Sequence, residues 1–253
     1  MKLKVLIHSF VGCSGCISTL MSLDVFPQFL ERTNILHFPF ICDNHIIEDN
    51  FDFALIEGCI SEESQIDVLR RIRKQSKKVY AFGSCAAFGG ILSLSNHKDA
   101  HPLTQYIEID GFIPGCPPPY KLLGNMIITL IERKEIVLPK KVMCAECPYR
   151  EDLTSLNDLT IEKFFPTNDD IEFEGAKDNC FLKRGILCLG PITRDGCDHK
   201  CIKQGIPCEG CVGPVAKDFV SNLVNFLSLF KISKNLQNYD EIFYRFSRPE
   251  MMR

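Results

Sequence analysis

Fourteen cysteines run through this 253-residue chain, and most fall in C-x-x-C pairs, beside Gly or Pro, or in one crowded stretch near the C-terminus. The first pair, Cys13 and Cys16, lies in "GCSGC", directly after the strand-like opening "MKLKVLIHSF". Such a pair can close a disulfide, hold zinc, carry thioredoxin-like redox chemistry or supply half of a larger inorganic site. Two isolated thiols bear on the choice: Cys85 in "FGSCAAFGG" and Cys116 in "IPGCPPP". A thioredoxin-like pair would leave both without a role. Zinc usually takes two compact knuckles, so one knuckle joined by two isolated, Gly- and Pro-flanked thiols suits a four-iron cubane better.

Eight more thiols follow: Cys144, Cys147, Cys180, Cys188, Cys197, Cys201, Cys208 and Cys211. Eight is two sets of four, and chain order groups the first four against the last four. Ligands can also interleave between sets, as they do in two-cluster ferredoxins. Pro148, Pro191, Pro207 and Pro214 lie close to these thiols and supply rigid turns. His199, between Cys197 and Cys201, is the histidine nearest to ligand duty, although four thiols already suffice there. Cys42 and Cys59 stand apart and read as buried apolar thiols, with Cys59 the better substitute ligand. His8 and His37 read as satisfied core histidines. Glu57 is placed to sit beside the first thiol set; the plainer expectation is that it caps the following helix or pairs with a basic side chain.

The elements that position these thiols alternate up to about residue 138. "KLKVLIHSF", "NILHFPFI", "FDFALIEGCI", "KKVYAFGSC" and "IDGFIPGC" read as strands. "ISTLMSLDVFPQFLERT", "SEESQIDVLRRIRKQS" and "YKLLGNMIITLIERKE" read as helices, the first with an irregularity at its Pro and the second N-capped around Ser61 and Ser64. Strands that are continuous apolar runs, alternating with helices, predict an α/β fold with a parallel sheet covered on both faces. Loops at the carboxyl ends of such strands share one rim, where ligands bind, so Cys13, Cys16, Cys85 and Cys116 are expected to converge. From residue 139 to 253 the texture changes to an irregular, thiol-rich region with few periodic apolar runs. That region is expected to build little core and to rely on metal. "FVSNLVNFLSLF" reads as a helix that packs in a core or against a partner.

A net charge of -3 gives no reason to expect nucleic acid or an anionic membrane as partner. "LRRIRKQSKK" reads as a solvated helix face above an apolar stripe at Ile66, Leu69 and Ile72. No stretch reaches the roughly 20 apolar residues of a spanning helix, and the opening lacks a signal-peptide cleavage site, so a cytoplasmic chain is expected. So many thiols in a reducing compartment point to metal or catalysis before disulfides.

As an ordered set, "GCSGC", the "EG" that ends strand three, "GSCAAFGG", "PGCPPP" and the later C-x-x-C, "GP" and "PCEGC" resemble the small, electron-transfer subunit of nickel–iron hydrogenases. The resemblance covers all but about the last thirty residues. It implies a flavodoxin-like domain over 1–138 holding a proximal cluster through Cys13, Cys16, Cys85 and Cys116. It further implies a C-terminal domain over 139–253 holding a distal cluster on Cys144, Cys147, Cys180 and Cys188 and a medial cluster on Cys197, Cys201, Cys208 and Cys211. Membrane-bound uptake members use a His in the distal set and a Pro in place of a medial thiol. Here Cys144 and Cys201 stand instead, which favours a cytoplasmic relative with three 4Fe-4S clusters.

Among those relatives the motifs are most similar to the coenzyme F420-non-reducing type, which passes electrons to heterodisulfide reductase. The F420-reducing enzymes and the sulfhydrogenases are near neighbours. The implied partners are a large subunit carrying the nickel–iron centre and a downstream acceptor subunit. The cluster-bearing subunit of complex I has two consecutive thiols where this chain has Cys13 and Cys16 spaced apart, which argues against it. A zinc-stapled scaffold without redox function is the alternative of another class.

Overall fold

The computed structural model describes residues 2–42, 47, 50–94, 100–150, 159–167, 180–215, 219–236 and 242–247. The polar stretches 151–158 and 168–179, within the region read above as irregular, lie outside them. The chain forms two compact units, residues 1–138 with Phe246 and Ser247, and residues 139–245.

The first unit is built on a five-stranded sheet: β1 (Leu3–Ser9), β2 (Thr33–His37), β3 (Phe51–Glu57), β4 (Ser76–Phe82) and β5 (Gly111–Ile113). Their order across the sheet is β2-β1-β3-β4-β5 and every pairing is parallel. This is the flavodoxin-like order, whose switch point lies between the first and third strands. Val5, Leu6 and Ile7 are each 0% exposed, as are Leu55 and Ile56, so both faces of the central strands are covered. That two-sided burial is why these strands read as unbroken apolar runs.

Helices α1 (Gly15–Met21), α2 (Phe26–Arg32), α3 (Glu63–Gln75), α4 (Ser84–Phe88) and α5 (Tyr120–Ile131) connect the strands. The single helix expected over the first connection is two helices, with Pro27 in the opening turn of the second. A proline is tolerated there because its missing N–H would be unpaired in any case. The Tyr120 hydroxyl accepts the Asp24 N–H at 2.7 Å, which ties the α1–α2 turn to the start of α5. On α3, Leu69 and Ile72 are fully buried as the apolar stripe requires. Its expected serine cap is not formed: Glu62 holds the cap position without a side-chain bond, and the Ser61 N–H donates to Gln65 Oε1 at 2.9 Å.

The second unit has little regular structure among its described residues: a two-stranded parallel pair, β6 (Thr160–Ile161) and β7 (Lys231–Ile232), the helix α6 (Phe219–Leu227), and short 3-10 turns at Met143–Glu146, Leu182–Arg184 and Ile202–Gln204. It nevertheless has a core, contrary to expectation. Met143, Ile161, Leu182, Ile186, Leu189, Ile202, Phe226, Phe230 and Tyr244 form one buried cluster that includes Cys188 and Cys208. Single apolar side chains from loops and one-turn helices fill it, so no sequence period announces it. Among the described residues no helix is long and apolar enough to cross a membrane.

Candidate functional site

The loops at the carboxyl ends of β1, β4 and β5 carry the first thiol set. Cys13 and Cys16 follow β1, with Ser14 in the left-handed region (φ 61°) and Cys16 in the first turn of α1. Cys85 is the second residue of α4, which Gly83 precedes, and Cys116 follows Gly115 after β5. The last two loops are stitched together. The Gly83 N–H donates to Ile113 O at 2.8 Å, the Ser84 N–H to Gly115 O at 2.9 Å, and the Gly115 N–H back to Ser84 Oγ at 3.2 Å. Gly83 sits at φ +87°, and a Cβ there would lie 2.3 Å from Cys16 Sγ and 3.6 Å from Gly115 O. The backbone of one loop thus forms the wall against which the thiol of another rests, a cradle that only glycine leaves open.

The thiols respond to one another. Burial drives the Cys16 thiol far above its usual range, with Glu57, Cys85 and Cys116 adding to the push. Cys85 is pushed up to about 12 by burial, with Cys116, Cys59 and Cys13 beside it. Cys116 is raised by burial and by Cys13. Three thiols so raised do not ionise together unaided, and a bound group carrying positive charge would turn them into thiolates. The donor set and the glycine cradle fit an iron–sulfur cluster.

Glu57 does sit beside this set, and in a way the plainer expectation missed. It is 2% exposed; its Oε1 accepts the Cys16 N–H at 3.1 Å and its Oε2 the Ser9 hydroxyl at 3.2 Å. It therefore caps α1, the helix before it in the chain, and its carboxyl is raised by burial against those hydrogen bonds. Cys59 is fully buried, donates to Val11 O at 3.4 Å and borders Cys85, so it is a fifth thiol at this rim. Cys42 is only half-buried and contacts Ile35 O at 3.9 Å.

In the second unit Cys144, Cys147, Cys180 and Cys188 line one cavity together with Tyr149 and Ile202. Cys144 is pushed up to about 11 by burial, with Cys147 and Cys180 beside it. Cys188, raised to about 12 by burial, accepts the Cys208 N–H at 3.3 Å and so touches the last set as well. Of that last set, Cys197 has Cys201 as neighbour, and Cys208 has Cys211. Cys201 borders Glu209, the residue after Cys208, which brings the two pairs toward one another. The donor chemistry of both sets, all thiol, matches that of the first. His199 is buried, and its Nε2 lies 2.8 Å from Met143 O, so that nitrogen is engaged by backbone.

His8 and His37 pair across β1 and β2, with Nδ1 of the first 3.0 Å from Nε2 of the second. Burial and the neighbouring His37 lower His8 to about 4, below its ordinary 6.5. The unfolded chain therefore binds the proton more readily, and this pair's contribution is complete above pH 6.5 and drains away as pH falls toward 4, by about 3 kcal/mol at most. We expect His8→Gln to flatten the loss of Tm between pH 7 and 5 relative to the parent protein; equal slopes would remove His8 as the cause.

The sequence reading missed Ser9, Ser84 and the pair Glu209 and Arg245, whose side chains meet at 2.6 Å. Only Ser84 carried a signal, its place directly before Cys85.

A family pattern described as "NADH ubiquinone oxidoreductase, 20 Kd subunit" matches residues 13–130, slightly under half the chain. The F420-non-reducing hydrogenase of Methanocaldococcus jannaschii contains a subunit that is 33% identical, over 90% of this chain and 88% of that protein. The corresponding F420-non-reducing hydrogenase protein of Methanococcus voltae is 30% identical, over 98% and 96%. Among solved structures, a recombinant [NiFeSe] hydrogenase from Desulfovibrio vulgaris Hildenborough shares the fold with a TM-score of 0.63 at 19% identity, over 86% of this chain and 95% of that one.

Proposed function

Given that this chain belongs to the small-subunit family of nickel–iron hydrogenases, of the F420-non-reducing type, we propose that it relays electrons from hydrogen through three 4Fe-4S clusters. The enzyme it serves is an oxidoreductase acting on hydrogen, and the active site lies on the partner large subunit. The observation that carries the relay is the convergence of Cys13, Cys16, Cys85 and Cys116 on one rim of the first unit. These four hold the proximal cluster; Cys144, Cys147, Cys180 and Cys188 hold the distal one, and Cys197, Cys201, Cys208 and Cys211 the medial. The first unit, residues 1–138, is then the flavodoxin-like domain with the proximal site, and residues 139–253 the domain with the other two.

Each cluster, when bound, stores and passes single electrons at a potential set by charge, hydrogen bonds to sulfur and exposure. The chain's own part is to hold and tune. Glu57 fixes the Cys16 backbone through its N–H, Gly83 leaves room for the Cys16 thiol, and the Cys208 N–H donates to Cys188 Sγ. Burial around Cys16, Cys188 and Cys208 keeps water from the sulfur. Electrons leave to an acceptor subunit, which we assign to a heterodisulfide reductase in the cytoplasm.

The test is anaerobic purification of the native complex, hydrogen-dependent viologen reduction and metal analysis on one sample. Activity with nickel and about twelve irons attributable to this chain is the expected result, since each cubane takes four. Zinc in place of iron overturns the reading in favour of a stapled scaffold. With the same assay, Cys16→Ala should lose the proximal cluster and electron exit while Cys42→Ala leaves both intact. Equal losses in the two variants would refute the ligand assignment.

A further inference from the structure

The last described segment reaches the Cys208–Cys211 pair from behind. Tyr244 is 0% exposed although its backbone lies in the left-handed region at φ 53°, where a bulky residue stays only if its surroundings hold it. What holds it is Gly210, between the two thiols: a Cβ on Gly210, itself at φ +81°, would stand 2.5 Å from Tyr244 Cδ1 and 2.8 Å from Cε1. The ring therefore lies flush on the backbone of the knuckle. Its hydroxyl donates to Ile192 O at 2.8 Å, in the loop where the Leu189 N–H donates to Cys208 O at 2.9 Å. The next residue, Arg245, places Nε 2.6 Å from Glu209 Oε2, and its guanidinium stacks 4.7 Å from the centre of the Phe165 ring. Phe243 is 3% exposed in the same core.

We propose that Phe243–Arg245 form a strap that positions the Cys208–Cys211 pair, Tyr244 seating its backbone and Arg245 neutralising the Glu209 carboxylate within it. This rests on the reading that the pair holds a cluster. Glu209 is the acid inside the knuckle, between Cys208 and Cys211 in the chain, and its charge also bears on Cys201. An unbalanced negative charge there disfavours adding an electron to a cluster, and an unbalanced positive charge favours it. Tyr244 and Arg245 are positioning residues: neither supplies a ligand, and both act through the residues between the thiols.

The test compares anaerobically purified complexes carrying Arg245→Gln, Glu209→Gln, the double variant, Tyr244→Phe or Tyr244→Ala. The readouts are iron content and the midpoint potentials from redox-poised paramagnetic resonance. Arg245→Gln should lower one potential, Glu209→Gln should raise the same one, and the double variant should return close to the parent. Tyr244→Phe, which keeps the ring on Gly210, should retain iron, whereas Tyr244→Ala should lose it from one cluster only. Charge variants that shift potential in the same direction, or not at all, at full iron content would overturn the proposal, as would full iron and unshifted potentials in Tyr244→Ala. Should Arg245→Gln not accumulate, Glu209→Gln alone carries the sign. A parent complex lacking iron in this unit would instead refute the underlying cluster reading.

Discussion

Gly83→Ala should strip the first cluster from the protein while leaving the sheet folded. The added methyl would stand 2.3 Å from Cys16 Sγ, and the position, at φ 87° and ψ 168°, disfavours any side chain by about 1–3 kcal/mol before the collision is counted. Neither neighbour can yield cheaply. Cys16 is fixed through its N–H to Glu57, and the Gly83 backbone is fixed through its N–H to Ile113 O. With the three cubanes proposed above, we expect iron to fall by about a third, with hydrogen-dependent viologen reduction at background and an unchanged far-ultraviolet dichroism. Gly124→Ala is the control: nothing lies within 4 Å of its added methyl, and in mid-helix it should keep all iron and gain up to about 1 kcal/mol. Full iron content in Gly83→Ala would show that the loop yields and that the cradle is not what shapes the site.

Cys188→Ala should cost more iron than any half-exposed thiol of its set. Cys188 is 7% exposed, lines the cavity with Cys144, Cys147 and Cys180, and accepts the Cys208 N–H at 3.3 Å. It also belongs to the buried cluster that fills the second unit. On the proposed assignment its removal takes a ligand from one set, the anchor of the Cys208 backbone from the other, and volume from the core between them. We expect the loss of about two thirds of the iron, against about one third for Cys147→Ala, which is half-buried and, among the described residues, bonded to no thiol of the other set. Equal losses in the two variants would mean that the sets are independent and that the bond to Cys208 transmits nothing.

The first unit was legible because its physics is periodic. "KVLIHS", "FALIE" and "VYAF" are buried on two faces and announce themselves as apolar runs, and the rule that ligands sit at the carboxyl rim then gathers Cys13, Cys16, Cys85 and Cys116. Glu57 reads at the rim, but the expectation that it caps the following helix or pairs with a basic side chain fails: the parallel register sets it beside Ser9 and the loop that follows, where it accepts the Cys16 N–H. The second unit was not legible as a core. Its apolar residues come singly from turns, and the strap at Phe243–Arg245 makes its contacts across some thirty to eighty positions, to Glu209, Gly210, Ile192 and Phe165, which no local pattern encodes.

The wide separation of the first thiol set in the chain has a consequence for biogenesis. Cys13 and Cys116 flank nearly the whole sheet, and the loops that present them come together only when β1, β4 and β5 are already side by side. If these four thiols hold a cluster, as proposed, iron cannot nucleate this unit, because its ligands come together only on a sheet already folded on its own apolar strands. The two units thus differ in when their thiols come together. One presents a finished receptacle, and the other has two of its thiols, Cys188 and Cys208, inside the very core that must close around them.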